Sequence, residues 1–270
     1  MHSLAVAALF VVALAVLFLM RDRRTARVIV AVVAMTLAVV VGLQFARGSA
    51  TTTEFPEKTG LRILSWNTNQ DSVDAFEIIR LIALTDPDIV VLPEYFDTLA
   101  YGRLSGIGGF DVLGDESSAA SLLISDELGH HSVRTAGVPP WAGFVAATTD
   151  PSAPHIVVTH LQAPSFSDVA LWNEHLDWAA SECTAPSTIL IGDFNATLAN
   201  LGSDRLGECV DAAATLGASA TGTWPTLLPP ALGTQIDHVF ASSDWTPTYF
   251  GVVAGFEGSD HRPIVVDLVR

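Results

Sequence analysis

From residue 61 onward, the chain is built from short apolar segments separated by turns. Nine of them are predicted as strands: Leu61–Trp66, Ile89–Leu92, Ser121–Ile124, Phe144–Thr149, Ile156–Thr159, Thr188–Ile191, Gln235–Ala241, Tyr249–Val253 and Ile264–Val269. Many are apolar throughout, which is typical of sheets covered on both faces. Helical periodicity occurs at Asp74–Leu84 and at Ser167–Cys183, where Ser167 is the expected N-cap. This pattern predicts two sheets packed face to face with helices outside.

The N-terminal region has a different composition. Residues 3–20 and 28–46 contain no charged side chain, and each is near the minimum length for crossing a bilayer. The basic stretch RDRRTAR separates them, so residues 1–47 are expected to form a transmembrane hairpin with a cytoplasmic loop. Everything after residue 47 would then face outward from the cell membrane. There are three alternatives: a cleaved signal peptide at 3–20, a buried core helix at 28–46, which shows no polar face, and the reverse orientation with the large domain in the cytoplasm.

Residues 48–60 are polar and Thr-rich, and are expected to link the hairpin to one large domain at 61–270. From residue 51 onward there are 8 basic and 28 acidic residues, a balance of −20. Nucleic-acid-binding domains usually carry basic patches that neutralise phosphates, so this charge argues against tight binding of a polyanion. A small site with a divalent cation could still accept a single phosphodiester.

The chain has two cysteines, Cys183 and Cys209. In an outward-facing domain, an isolated pair predicts one disulfide bond. The two cysteines flank the strand Thr188–Ile191, so the bond would brace the segment that follows this strand. Two unrelated buried thiols are the alternative.

Polar side chains able to bind a metal or a phosphate stand at or beside the ends of the predicted strands. In chain order they are Asn67, Glu94, His160, Asp193, Asn195, Asp237, Asp260 and His261. Taken singly, each is more often a turn residue or a structural hydrogen-bonding group. Their joint occurrence at strand ends predicts that they gather at one edge of the sandwich.

These landmarks occur as SWN, LPE, THL, GDFN, IDH and SDH, and in this order they resemble the endonuclease/exonuclease/phosphatase superfamily, which is deoxyribonuclease I-like. The resemblance covers roughly residues 61–270. It implies a four-layer α/β sandwich of two mainly antiparallel sheets flanked by helices, and hydrolysis with Mg²⁺ or a similar cation such as Mn²⁺. The superfamily includes nucleases, sphingomyelinases and inositol-polyphosphate phosphatases, so it fixes the chemistry better than the substrate.

The residue types fit metal-assisted hydrolysis. Glu94 offers the hard oxygen ligand that Mg²⁺ prefers. Asn67 can support that ligand or donate to the phosphate, and Asp260 is expected near the metal or beside a neighbour that it orients. A metal so held would neutralise phosphate charge and stabilise the leaving oxygen.

The catalytic candidates are His160, Asp193, Asn195, Asp237 and His261. Asp237 is expected to orient the His261 ring and favour its charged form. Either Asp193 or His261 could be the general base. Asn195 can donate to the pentacovalent oxygens, and His160 would contact the phosphate or assist the leaving group.

The expected function is a membrane-anchored, metal-dependent phosphoesterase that cleaves a phosphodiester or phosphomonoester by in-line attack of water. The alternatives are an extracellular nuclease of the same fold and a catalytically silent binding module. Lipid, nucleotide and nucleic-acid substrates all stay open, and no protein partner can be inferred. The basic DNA-grasping loops of the nuclease branch are missing, and neither Asp115 nor Glu116 aligns convincingly as the acidic partner of His160.

Three other features are expected to be structural or solvated. Strand alternation sends His238 to the face opposite Asp237, where a structural role is expected. His130 and His131 lie in a turn and are expected to be solvated. The GTWP segment, Gly222 to Pro225, lies where a substrate-facing loop could run, although packing is the favoured interpretation.

Overall fold

The computed structural model describes residues 23–46, 50–96, 104, 106–115, 117–165, 167–184, 186–202 and 205–270. The helices are α1 (Arg23–Ala46), α2 (Ala75–Thr85), α3 (Val169–Glu182), α4 (Leu198–Leu201) and α5 (Ala212–Thr215). The strands are β1 (Thr51–Thr52), β2 (Leu61–Ser65), β3 (Ile89–Pro93), β4 (Phe110–Asp115), β5 (Ala120–Ser125), β6 (Ser132–Arg134), β7 (Gly143–Ala147), β8 (His155–His160), β9 (Thr188–Asp193), β10 (Val210–Asp211), β11 (Asp237–Ala241), β12 (Thr246–Val253) and β13 (Ile264–Val269).

The strands form two mixed sheets. One has the order β1-β12-β13-β2-β3-β5-β4, and the other has the order β10-β11-β9-β8-β7-β6. Most neighbours are antiparallel, but β2 pairs with β3 in parallel, and so does β8 with β9. Each of these two pairs is connected through a helix, α2 in the first sheet and α3 in the second, as is usual for a crossover between parallel strands. The short strand β1 also pairs in parallel, with β12.

Alternation along the strands builds three apolar layers. The central layer joins the facing sides of the two sheets and includes Ile63, Ile89, Phe144 and Ile189. On the outer side of the first sheet, Leu64 and Val90 pack with Ile78, Leu81 and Ile82 of α2. On the outer side of the second sheet, Val157 and Leu190 pack with Leu176, Trp178 and Ala179 of α3. The result is the predicted helix, sheet, sheet, helix stacking, which is apolar on both faces of each sheet.

The predicted membrane hairpin is not supported. No helix in the part of the chain that the structure describes is long and apolar enough to cross a membrane. The first predicted span, residues 3–20, lies outside the described residues, and the second, residues 28–46, falls within α1.

Part of the predicted linker belongs to the first sheet. Thr51 and Thr52 pair in parallel with Val252 and Val253, and the Ala50 amide donates to Thr221 Oγ1 at 2.8 Å. Further along, the buried Arg62 guanidinium donates to the Pro56 carbonyl and to both carboxylate oxygens of Asp267. These contacts hold residues 50–56 against the domain.

Short or polar strands were not predicted from the sequence, and the predicted start of one helix was wrong. The four edge strands of the two sheets, β1, β4, β6 and β10, were not predicted. Helix α3 starts at Val169 with Asp168 as its N-cap, so the expected capping by Ser167 is wrong. His131 is buried, and its ring nitrogens lie 3.1 Å from the carbonyls of Gly129 and Pro154, so the expectation that it is solvated is also wrong.

Candidate active site

The candidate residues gather at one end of the sandwich because of strand direction. Strands β2 and β3 of the first sheet run in parallel and end just before Asn67 and Glu94. Strands β8 and β9 of the second sheet also run in parallel and end at His160 and Asp193, which are direct register partners. Asp237 begins β11 opposite Asp193, so the carboxyl ends of four strands and the start of a fifth meet here.

Asn67 connects the two sheets through its side chain. Its Nδ2 donates to Glu94 Oε1 and to Asp193 Oδ2, both at 3.0 Å. Its Oδ1 accepts the backbone amide of Asn69 at 2.9 Å. With both ends of the amide engaged, Asn67 fixes the position of two carboxylates that belong to different sheets.

Glu94 is also the partner of His160. Its Oε1 lies 3.2 Å from His160 Nε2, and both side chains are about one-fifth exposed at the site. The bonds from His160 and Asn67 lower the pKa of Glu94 to about 2, although burial acts in the opposite direction. Glu94 is therefore ionised at neutral pH and presents a carboxylate beside an imidazole.

His261 and Asp237 form the predicted pair. His261 Nδ1 lies 2.9 Å from Asp237 Oδ2, and His261 Nε2 lies 3.9 Å from Asp193 Oδ2. Burial lowers the pKa of His261, but Asp237 and then Asp193 more than offset that effect, and the pKa rises to about 10. His261 is thus a cation at neutral pH, which confirms that Asp237 favours its charged form.

Asp193 lies at the centre of the cluster and is almost fully buried. Burial raises the pKa of Asp193 to about 6, partly offset by the nearby His261 charge. Its Oδ1 accepts the Asn195 amide at 2.7 Å, and its Oδ2 accepts Asn195 Nδ2 at 3.3 Å. A carboxylate with a pKa close to neutral can take up a proton in a reaction at neutral pH.

Two site residues occupy left-handed backbone conformations. Glu94 has φ of 59° and Asn195 has φ of 47°. Residues other than glycine rarely adopt this region, and such positions cluster at functional sites. Hydrogen bonds hold both: the Glu94 amide donates to the Ala119 carbonyl at 2.7 Å, and Asn195 Nδ2 donates to the Leu161 carbonyl at 2.9 Å.

The glycine of the GDFN motif is required by the approach of β9 to β8. A Cβ at Gly192 would collide with the Thr159 carbonyl, and its φ of 138° suits glycine alone. The motif therefore combines a close strand approach with a sharp turn, and this places Asp193 and Asn195 together.

Asp260 hydrogen-bonds to a tryptophan. Its Oδ2 accepts the indole N–H of Trp224 at 2.8 Å, so the Trp of the GTWP segment packs against the site. The preceding Ser259 was not singled out from the sequence. Its hydroxyl donates to the Asn67 carbonyl at 2.6 Å and accepts the His261 amide at 3.0 Å, which ties the SDH turn to β2.

Two groups of described residues could hold a cation. The ligand atoms of Glu94, His160 and Asp193 lie within 4.8 Å of one another, and so do those of Asp193, Asp237 and His261. The first group contains a carboxylate that is ionised at neutral pH, as a hard divalent cation prefers. The second contains the charged His261, which would repel a cation. Asp260 belongs to neither group.

His238 is structural, as predicted. It is buried, its Nδ1 lies 2.8 Å from Asp211 Oδ2, and its Nε2 lies 2.9 Å from the Ala196 carbonyl. The ring therefore connects the turn after Asn195 to the start of α5. The acidic partner of His160 is Glu94, whereas the side chains of Asp115 and Glu116 lie outside the described part of the chain.

Cys183 and Cys209 form a disulfide bond, as predicted. It joins the end of α3 to the residue before β10, and both cysteines are buried in the outer apolar layer of the second sheet. The bond lies behind β9 and β11, the strands that carry Asp193 and Asp237.

A two-sheet α/β sandwich with a carboxylate and histidine cluster at one end is an arrangement found in hydrolases that act on phosphate esters. The sequence profile of the Endonuclease/Exonuclease/phosphatase family matches residues 64–261. The chain belongs to this family, whose members are hydrolases acting on phosphate esters. None of the curated proteins matches the chain significantly in sequence.

Solved structures share the fold at low sequence identity. TDP2 of D. rerio, crystallised with a single-strand DNA product, is similar with a TM-score of 0.64 and 18% identity over 78% of this chain and 99% of that chain. The mannosyl-6-phosphatase Bt3783 of Bacteroides thetaiotaomicron has a TM-score of 0.56 and 17% identity over 78% of this chain and 100% of that chain. A truncated Caenorhabditis elegans TDP2 has a TM-score of 0.60 and 15% sequence identity, over 78% of this chain and 98% of that chain. These likenesses establish the fold alone.

Proposed function

We propose that the chain is a divalent-metal-dependent phosphoesterase that uses Mg²⁺ or Mn²⁺ to cleave a phosphodiester or phosphomonoester by in-line attack of water. The main support is the meeting of Glu94 and His160 with Asp193, Asp237 and His261 at one end of the sandwich. Carboxylates, a charged imidazole and amide donors within a few ångströms match what a phosphoryl-transfer transition state requires.

Glu94, the ionised carboxylate of the first group, would hold the cation. Because both ends of the Asn67 amide are engaged, Asn67 would position Glu94 rather than bind the metal itself. Asp260, bonded to Trp224, would act as a positioning residue for the neighbouring His261. When bound, the cation neutralises charge on the phosphate and stabilises the leaving oxygen.

The shifted pKa values of Asp193 and His261 suggest a different catalytic role for each residue. Asp193, with a pKa raised by burial to about 6, is the better general base for the attacking water. His261 carries its proton at neutral pH and would donate to a phosphate oxygen, held in place by Asp237. Asn195 would add a neutral donor to the same oxygens. His160 would supply the proton that the leaving oxygen takes.

A nuclease reading is the second candidate, because one relative was crystallised with a DNA product. The balance of −20 after residue 50 argues against it, since a polyanion would be repelled over most of the surface. A silent binding module is less consistent with a full set of polar side chains held in contact.

We further propose attachment to the cell membrane through residues 1–47, with the domain outward. The support is sequence alone: charge-free residues at 3–20 and 28–46 and basic residues between them. The test is extraction of membranes with alkaline carbonate, together with a reporter fused after Arg270. Release of the chain by carbonate would refute the membrane anchor. A reporter that is active only in the cytoplasm would refute the outward orientation of the domain.

The phosphoesterase proposal is tested by hydrolysis of bis-p-nitrophenyl phosphate with Mg²⁺, with Mn²⁺ and with EDTA. Glu94→Gln preserves shape while removing the charge, and Glu174→Gln, an exposed change on α3, is the matched control. We expect turnover in wild type and the control, and loss by a factor of about 100 or more with EDTA or Glu94→Gln. Equal turnover in Glu94→Gln and wild type would refute the assignment.

A further inference from the structure

Three consecutive residues that begin two positions after Asn67 adopt left-handed backbone conformations. Asn69, Gln70 and Asp71 have φ of 51°, 54° and 59°. This region crowds Cβ against the following carbonyl, so residues other than glycine usually enter it singly and not in series. Asn and Asp tolerate it better than most residues, but Gln has no such advantage. Residues 69–71, here called the left-handed turn, therefore need contacts with their surroundings to hold them in place.

The left-handed turn lies beside the segment that carries Glu94. It follows β2, whereas residues 94–96 follow β3, and these two strands are parallel neighbours. The Asp71 amide donates to the Glu94 carbonyl at 3.1 Å. The Asp71 carboxylate reaches further along the same segment, because its Oδ1 accepts the Phe96 amide at 2.8 Å. Asp71 thus binds the chain at Glu94 and again two residues later.

The left-handed turn also contacts the amide side chain that joins the two sheets. The Asn69 amide donates to Asn67 Oδ1 at 2.9 Å. The other end of the same side chain donates to Glu94 Oε1 at 3.0 Å. The turn therefore holds Glu94 by two routes, through the backbone of residues 94–96 and through the side chain of Asn67.

Glu94 depends on such contacts because its own backbone is left-handed, with φ of 59°. A residue keeps a rarely populated conformation only where its surroundings fix it. From the side of β5, the Ala119 carbonyl accepts the Glu94 amide at 2.7 Å, and the Ser121 hydroxyl donates to the Tyr95 carbonyl at 3.1 Å. Asp71 supplies the contacts on the other side, to the Glu94 carbonyl and the Phe96 amide.

The Asp71 side chain is exposed, whereas Ser121 is buried. Replacing an exposed side chain opens no cavity in the core, so a change at Asp71 acts mainly on the geometry of residues 94–96. This separates a role in positioning Glu94 from a general role in holding the fold together.

We propose that Asp71 is a positioning residue for the cation-binding carboxylate of Glu94, and that the left-handed turn couples Glu94 to Asn67. This inference rests on the proposed phosphoesterase function, in which Glu94 holds the cation. Asp71 acts through its hydrogen bonds to the backbone around Glu94 and is not itself a ligand. Groups that orient a metal ligand in this way commonly change the affinity for the metal by about 10- to 100-fold.

The test makes two measurements on the full chain. One is Mn²⁺ affinity by electron paramagnetic resonance, and the other is hydrogen exchange of the Phe96 amide by NMR without metal. Asp71→Ala removes the acceptor of that amide, whereas Asp71→Asn keeps an oxygen in the same place. Asp71→Ala should weaken Mn²⁺ binding by about tenfold or more and speed Phe96 exchange by about tenfold. Asp71→Asn should stay within about threefold of wild type in both measurements.

The matched control is Asp74→Ala. Asp74 is also exposed, and its Oδ1 accepts the Phe76 amide at 2.8 Å as the N-cap of α2. The control therefore removes the same charge and a hydrogen bond of the same length three residues further along the chain. It should lower the midpoint of urea unfolding, because the helix loses its cap, while Mn²⁺ affinity and Phe96 exchange stay as in wild type.

Three results would each overturn the role of Asp71. The first is unchanged Mn²⁺ affinity or unchanged Phe96 exchange in Asp71→Ala. The second is an equal loss of Mn²⁺ binding in Asp71→Asn, which would mean that Asp71 acts through its charge or as a ligand. The third is an equal loss in Asp74→Ala, which would mean that any lost carboxylate in this region has the same effect.

Failure of this inference and failure of the proposed function give different results. If wild type binds Mn²⁺ in a Glu94-dependent manner and Asp71→Ala binds it equally well, the positioning role is wrong and the phosphoesterase proposal stands. If wild type binds no Mn²⁺, the proposed function is wrong, and the positioning role of Asp71 with it.

Discussion

Removal of the Cys183–Cys209 bond should destabilise the domain by an amount that follows from the length of the loop it closes. The two cysteines are separated by 26 positions. In the chain-entropy description, closing a loop of this length removes about 12 cal/mol/K from the unfolded chain, or about 3.5 kcal/mol at 25 °C. A loss of this size is a large part of the stability of an ordinary domain.

The assay is urea unfolding of wild type, with and without dithiothreitol, beside the double variant Cys183→Ala/Cys209→Ala. With a typical urea dependence for a domain of this size, the midpoint should fall by about 1 to 2 M on reduction. The double variant should unfold near the reduced wild type and should not respond to dithiothreitol. Because the cysteines lie behind the site strands, turnover below the transition should persist. A loss of under about 1 kcal/mol, or a double variant still sensitive to reductant, would refute the reasoning.

Three further predictions follow from buried charges. Asp237→Asn removes the main charge that raises the pKa of His261. NMR of the imidazole should therefore show a neutral His261 ring at pH 7, and kcat/KM should fall about 100-fold. A His261 ring that is still charged at pH 7 would contradict this prediction. In wild type, turnover should rise as the pH passes about 6, because Asp193 loses its proton there. It should fall as the pH passes about 10, because His261 then loses its proton. A pH profile that is flat between pH 5 and 7 would count against Asp193 as the general base. Arg62→Met leaves the Asp267 carboxylate buried without its partner and should lower the free energy of chemical unfolding by about 3 to 5 kcal/mol. The control Arg80→Met, at a partly exposed pair with Glu77, should lower it by under about 1 kcal/mol. Similar losses in the two variants would refute this distinction.

The sequence predicted the parts of the fold that depend on continuous apolar runs. Strands such as β9 and β13 are buried on both faces and each contains a single charged residue, Asp193 or Asp267, so the apolar run is visible from one sequence. The missed strand β4 reads FDVLGD, where polar residues and a glycine interrupt the run, and its pairing with β5 depends on tertiary contacts. The edge strands β1, β6 and β10 have only two or three residues and carry no periodicity at all.

The site was predicted as a set of residues with one contact, between Asp237 and His261, while its other contacts were mostly not predicted. Strand-end position correctly brought Asn67, Glu94, His160 and Asp193 together, because parallel strands end at a common edge. The partner of His160 was sought downstream among acidic residues, yet it is Glu94, which comes from the other sheet. Such a pairing depends on how the two sheets stack, so it cannot be predicted from the spacing of residues along the chain.

The role of Asp260 shows the same limit. Its neighbour His261 enters the cluster, whereas its own carboxylate accepts the Trp224 indole N–H. Successive residues of a turn point in different directions, so adjacency in the SDH motif does not imply a shared target. The hydroxyl of Ser259 shapes that turn, and serine is too common in turns to be singled out from sequence.

The most direct test of the central claim is Mn²⁺ binding, followed by electron paramagnetic resonance. We expect wild type and Glu174→Gln to bind the ion at one site and Glu94→Gln to lose this binding. EDTA should remove binding and turnover together. Turnover that persists in EDTA, or Mn²⁺ bound equally well by Glu94→Gln, would contradict a metal-dependent phosphoesterase centred on Glu94.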